Sequence, residues 1–135
     1  MDLSESIEFA KRYAKAWCSQ EPDNVAAFYA EDGSLSVNDG PPALGRKAIA
    51  EEARGFMNTF PDMIVTMDDL VGAPDGTVFH WSLTGTNTGP GGSGMRVRIS
   101  GYEVWQLDDD GLIRESKGHF DSVEYERQLK YGIDR

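Results

Sequence analysis

With 135 residues and 14.9 kDa, the chain has room for one domain with a substantial core and too little for two. Hydrophobic residues make up 39% and charged residues 27%, with no apolar run near the ~20 residues that span a bilayer, which excludes a helical membrane protein. A net charge of -10 without any offsetting basic cluster repels phosphate backbones and anionic lipids, so neither nucleic acid nor membrane is an expected partner.

The opening Met1-Asp2-Leu3-Ser4-Glu5 is polar and acidic, with no basic segment leading into an apolar one. No signal peptide is expected, and the expected location is cytoplasmic. Leu3, Ile7, Ala10, Ala14 and Trp17 recur at helical spacing, and Asp2 with Glu5 forms a capping pair for this first helix. Cys18 has no second cysteine to pair with and no histidine nearby to activate it, so it reads as a structural thiol.

Ser19-Gln20-Glu21-Pro22 interrupts the helix, and Asp23 is placed to cap a short second one that turns Val25, Phe28 and Tyr29 inward. Glu31-Asp32-Gly33 reads as a turn into a short strand from Ser34 to Val37. Asn38-Asp39-Gly40-Pro41-Pro42 is an irregular loop, because adjacent prolines forbid both helix and ladder, and it is expected at a cavity mouth. A third helix runs from about Arg46 to Thr59, with Ile49, Ala53, Phe56 and Phe60 on one side, and Pro61 stops it.

Strands follow. Met63 to Val71 and Thr77 to Thr88 form a hairpin around Ala73-Pro74-Asp75-Gly76. Gly89 to Gly94 reads as a flexible connection to the long strand Met95 to Leu107. Asp108-Asp109-Asp110-Gly111 is a tight turn into Leu112 to Phe120, and Asp121 to Tyr131 is a terminal helix. The predicted fold is α+β over residues 1–135: three N-terminal helices packed into a strongly curved, mainly antiparallel sheet that encloses a cone, then a short C-terminal helix. Gly85, Gly101 and Gly118, each inside a strand, are expected where the sheet bulges and curls.

His119 and Asp121 stand two residues apart at the end of the last strand, a spacing that puts both side chains on one face. Facing a cavity, they form a pair able to move a proton. Asp121-Ser122-Val123-Glu124 is equally a capping box, in which the carboxylate is tied up by backbone N–H groups. His80 shares a polar stripe with Val78, Ser82 and Thr84, against the apolar stripe of Phe79, Trp81 and Leu83; either stripe could line the cavity. Two histidines without ligand-type spacing make a poor metal site, so no metal is expected. Trp17, Phe56, Trp81, Tyr102 and Trp105 are expected to build the core and shape a cavity for a small hydrophobic, ring-bearing molecule.

Phe60-Pro61-Asp62, Gly85-Thr86-Asn87-Thr88-Gly89, Gly111-Leu112-Ile113-Arg114-Glu115 and Gln128-Leu129, in this order of elements, resemble the SnoaL-like polyketide cyclases. These belong to the nuclear transport factor two-like superfamily of cystatin-like α+β barrels. The resemblance covers nearly the whole chain. It implies intramolecular aldol closure without metal or cofactor, with Asp121 at the position of the aspartate that acts as acid and base. Lys117 replaces the tryptophan usual four residues earlier, and Asn87 replaces the histidine of the family's Gly-Thr-His run.

Arg12-Tyr13 and Phe28-Tyr29-Ala30-Glu31-Asp32 are similar, more faintly, to ketosteroid isomerases. That similarity puts Tyr13 at the oxyanion tyrosine, Glu103 at its protonated acid partner, and Val37 where the general base would be. Glu103 is otherwise a surface partner of Arg96 or Arg98. The superfamily often dimerises through an exposed sheet face, so a homodimer is expected.

The expectation is a cofactor-free enzyme using general acid–base catalysis on a hydrophobic carbonyl compound: a cyclase, isomerase or dehydratase-type lyase. Asp121 is the proposed base, His119 or His80 the assisting acid, and Tyr13 an oxyanion donor, with Trp17, Phe56, Tyr102, Glu103 and Trp105 around the substrate. The rival is a non-catalytic small-molecule-binding or dimerisation module on the same scaffold.

Overall fold

The computed structural model describes residues 3–73 and 76–133. In chain order these form α1 (Leu3–Cys18), α2 (Pro22–Ala26), β1 (Tyr29–Val37), β2 (Ala43–Leu44), α3 (Gly45–Thr59), β3 (Ile64–Ala73), β4 (Gly76–Thr86), β5 (Arg96–Leu107), β6 (Ile113–Phe120) and α4 (Ser122–Tyr131). The fold is α+β, with helices packed on one mixed sheet, as the sequence predicts. Asp2, Pro74 and Asp75 lie outside the described residues, and with them part of the predicted capping pair and hairpin turn.

The six strands run in the order β2-β1-β6-β5-β4-β3. All neighbours are antiparallel except β1 and β6, whose parallel pairing joins the first long strand to the last. Three strands lie between β1 and β3, so in a flat sheet four strand spacings would separate them by about 19 Å. Yet Leu35 of β1 and Val65 of β3 line one cavity, so the sheet is curled round on itself. Register shifts in β1, β3 and the β5–β6 ladder supply the bending.

Alternation decides which side chains meet the helices. Phe79 and Leu83 of β4, and Val97, Ile99 and Trp105 of β5, are buried against Phe9, Ala10, Tyr13, Ala14 and Trp17, the apolar stripe of α1. Ile49, Ala53 and Met57 of α3 and Phe60 beyond its end complete the core. Cys18 is structural: its sulfur accepts from the Val65 N–H at 3.1 Å and so ties α1 to β3.

Several local expectations are corrected. Glu31-Asp32-Gly33 is not a turn before a short strand but the middle of β1, where a register shift absorbs the polar trio. Tyr29 accordingly belongs to β1 rather than α2, and Asp23 lies inside α2 rather than capping it, Glu21 being the N-cap. The glycine-rich connection after β4 is tied down: Gly89 N–H donates to Thr59 O, Gly94 N–H to Asn87 O, and Ser93 Oγ to Leu129 O.

The strand glycines serve close approach more than bulging, since the register shifts fall elsewhere. A Cβ on Gly101 would come within 2.6 Å of the Trp81 ring and 2.3 Å of the His119 carbonyl oxygen. Trp81 lies across the bare backbone of its neighbouring strand. Among the described residues no helix is long and apolar enough to cross a membrane.

Candidate active site

A cavity of about 60 Å³ sits between the helices and the inner face of the sheet, partly open to the outside. Trp17 of α1, Phe56 of α3, Leu35 and Val37 of β1, Val65 of β3 and Phe79, Trp81 and Leu83 of β4 line it, with Ile99 and Glu103 of β5 and Gly118 and Phe120 of β6. Glu103 is the one titratable side chain in that lining.

Period two along β5 explains why the acid faces inward. Val97, Ile99, Gly101, Glu103 and Trp105 share one face, while Arg96, Arg98, Ser100 and Tyr102 share the other. Glu103 is 7% exposed and is therefore no surface partner of either arginine.

Three donors from two strands and a helix converge on a single oxygen. Glu103 Oε1 accepts from Tyr13 Oη at 3.0 Å, from Trp105 Nε1 at 2.9 Å and from Ser116 Oγ at 2.8 Å. The Tyr13 and Tyr29 hydroxyls lie 2.7 Å apart. Since Tyr13 gives its one proton to Glu103, Tyr29 donates to Tyr13. The three hydrogen bonds all fall on Oε1, and among the described residues none is seen on Oε2.

Burial pushes the Glu103 carboxyl above its ordinary range, against the lowering effect of its three hydrogen bonds, the Trp105 bond first. Burial, then the Glu103 charge, lifts both tyrosine hydroxyls well above theirs. The arrangement is a carboxyl group fixed on one oxygen and poised on the other to give or take a proton inside an apolar cavity.

The structure separates the other residues singled out in the sequence. Asp121 is the N-cap of α4, exposed, its Oδ1 accepting from Val123 N and Glu124 N at 3.1 Å each. His119 and Asp121 border a shallow surface depression with Asn38, Asp39, Ser100 and Tyr102, outside the cavity. His80 and His119 flank Tyr102 on the outer face of the sheet, with ring centroids 6.0 and 5.0 Å from it. The expected polar stripe around His80 thus faces away from the helices, and the apolar one lines the cavity.

Tyr13 reaches Glu103 rather than the cavity, so its O–H is not placed as an oxyanion donor. Trp17, Phe56 and Glu103 line the cavity; Tyr102 lies on the outer face, and Trp105 is buried behind Glu103, stacked on Phe79 at 4.9 Å. Ser116 and Tyr29 carry no chemistry in the sequence reading. The parity of β6, which puts Ser116 on the same side as Gly118 and Phe120, is the signal that marks Ser116. Among the described residues no cluster of three or more His, Cys, Asp or Glu side chains forms a metal-binding group.

A curled α+β sheet around an apolar cavity with one buried acid defines the class of small cystatin-like barrel proteins. A family profile described as SnoaL-like polyketide cyclase matches residues 7–129, and the chain belongs to that family. No curated protein matches it.

Among solved structures it is similar to TsrD from Streptomyces laurentii, at 20% identity, covering 96% of this chain and 97% of that one, with a TM-score of 0.80. It is also similar to a hypothetical protein with a ketosteroid isomerase-like fold from Catenulispora acidiphila DSM 44928, solved in complex with trimethylamine. That match has 16% identity, coverage of 90% and 92% and a TM-score of 0.79. At these identities the likeness is one of fold.

Proposed function

We propose that this protein is a cofactor-independent enzyme that moves a proton on a small apolar carbonyl compound, with Glu103 as the acid and base. The observation that carries the reading is the buried Glu103, held through Oε1 by three donors and lining an otherwise apolar cavity. The ionised carboxylate removes a proton from the carbon next to the carbonyl, and the resulting acid returns it to another atom of the same molecule. The net result is isomerisation, or ring closure or loss of water when the enolate reacts onward.

Tyr13, Trp105 and Ser116 are positioning residues in this scheme. They fix the carboxyl group and act on the substrate through it. Volume limits what enters. An apolar cavity of roughly 150 Å³ takes a benzene ring, so about 60 Å³ receives the reacting end of a molecule, the remainder lying in the open mouth.

The test is exchange of ketone α-protons with deuterium from the solvent, followed by proton NMR with small ketones such as cyclopentanone. Wild-type protein is expected to speed exchange and Glu103→Gln to remove the effect; exchange that survives in Glu103→Gln ends the assignment. A second reading, a ligand-binding module without turnover, is supported by the absence of any second titratable group among the cavity residues. Ketone binding without exchange would favour it.

A further inference from the structure

Five of the cavity residues are aromatic: Trp17, Phe56, Phe79, Trp81 and Phe120. Trp17 and Phe56 meet edge to face at 6.0 Å, as do Trp81 and Phe120, so two aromatic pairs stand in the cavity wall. Among these rings stands a single carboxyl group, with no lysine or arginine in the lining. Aromatic faces are negative, and rings gathered round a carboxylate attract a cation twice over, by the ring quadrupoles and by the full charge.

The size of the space selects the cation. About 60 Å³ suits a compact group of a few heavy atoms, such as a methylated nitrogen, and not a guanidinium on a long stem. A ligand with no polar group at all would leave the carboxyl group of Glu103 without a further partner. An anion would meet both that carboxylate and a chain of net charge -10.

We infer that the cavity is a binding site for a small alkylammonium ion, its methyl groups against the aromatic rings and its charge on Glu103. The inference rests on Glu103 facing the cavity, not on its acting as a catalyst. A cation seated there holds Glu103 ionised, blocks the acid half of the proposed reaction, and so competes with a carbonyl substrate.

The experiment compares choline chloride with 3,3-dimethylbutan-1-ol, which has the same shape without the charge, on the full chain at low ionic strength. Choline is expected to bind about tenfold or more tightly than the alcohol. Its N-methyl proton signal should move upfield on binding, as it does beside aromatic faces. In Glu103→Gln the preference for choline should shrink several-fold, to the part that the ring quadrupoles supply.

Equal binding of choline and the alcohol to wild-type protein overturns the inference. So does an unmoved methyl signal, which needs no variant to observe, or a choline preference that is undiminished in a folded Glu103→Gln. Proton exchange on ketones that is lost in Glu103→Gln, together with equal binding of choline and the alcohol, removes this site and leaves the reaction standing. Preferential choline binding with no exchange on any ketone removes the reaction and leaves the site.

Discussion

Ser116 and Glu103 reach each other diagonally across the β5–β6 ladder, Oγ to Oε1 at 2.8 Å, on a face otherwise occupied by apolar side chains and glycine. The contact sits next to Gly118, the residue directly opposite Glu103. A hydroxyl and an acid paired this way within a core are costly unless satisfied, and here the donors gather on one oxygen.

Glu103 imposes a pH dependence of unusual sign for a carboxylate. Its folded pKa lies above the unfolded value of about 4.3, because burial outweighs the hydrogen bonds. The native state therefore holds the proton more tightly, and the Glu103 contribution to stability falls as pH rises from the unfolded pKa through the folded one. Urea denaturation from pH 4 to pH 8 should show Glu103→Gln gaining on wild type across that window. A difference that is constant with pH would contradict the raised pKa.

Asp62 behaves in the opposite way. Its Oδ1 accepts from Thr86 N and its Oδ2 from Thr86 Oγ1, both at 2.7 Å, and these bonds hold its carboxyl below the usual range. Its contribution is present above the unfolded pKa and lost as pH falls through the folded one. Asp62→Asn should lower stability near pH 8 and flatten the acid limb of the profile, the difference from wild type closing as pH falls through the folded pKa in the same titration.

Removing the Tyr13 hydroxyl takes one donor from Glu103 and leaves the Tyr29 hydroxyl without its acceptor. Tyr13→Phe should cost about 1 to 3 kcal/mol and push the Glu103 pKa up further. Denaturation gives the first quantity. The pH midpoint of ketone proton exchange gives the second, and a midpoint that stays put would mean that Tyr13 does not position the acid.

Asp121 separates capping from chemistry. Asp121→Ala should lower stability by about 1 kcal/mol through loss of the α4 N-cap, whereas Asp121→Asn, still a good cap, should be close to neutral. Both should keep cavity binding and proton exchange. Exchange that disappears in Asp121→Asn while the protein stays folded would return the base to the end of β6.

Gly101→Ala places a methyl group against the Trp81 ring and the His119 carbonyl. The ring can turn aside alone, but the carbonyl belongs to the ladder, so the strands must part as well. A loss of about 1 to 3 kcal/mol is expected, with a change in Trp81 fluorescence; an unaltered melting temperature would show that the sheet yields freely here.

The strands β3 to β6 and the helices α1, α3 and α4 are legible in the sequence because each carries its own periodicity between strong turn signals. Asp108-Asp109-Asp110-Gly111 is such a signal: Asp108 Oδ1 accepts from Asp110 N and Leu112 N. The middle of β1 is not legible, since Glu31-Asp32-Gly33 has turn composition and is extended only through its neighbours in the sheet. Family resemblance puts Glu103 at the site, and alternation with Val97, Ile99 and Trp105 also points it inward.

The spacing of His119 and Asp121 does not bring them to the cavity, for a related reason. Two-residue spacing puts side chains on one face only while the strand continues, and Asp121 is already past the end of β6 and turning into α4. Neither Ser116 nor Tyr29 announces a role locally. Their positions beside Glu103 depend on contacts between distant parts of the chain.

The parallel pairing of β1 with β6 has a consequence for how the protein is made. Residues 29–37 leave the ribosome long before residues 113–120, yet among the described residues β2 is the only other strand beside β1. The early strand must wait for nearly the whole chain to be synthesised, which makes closure a late and slow step. A nascent chain stalled before Ile113 would keep one side of β1 open, an unpaired edge for chaperones to shield.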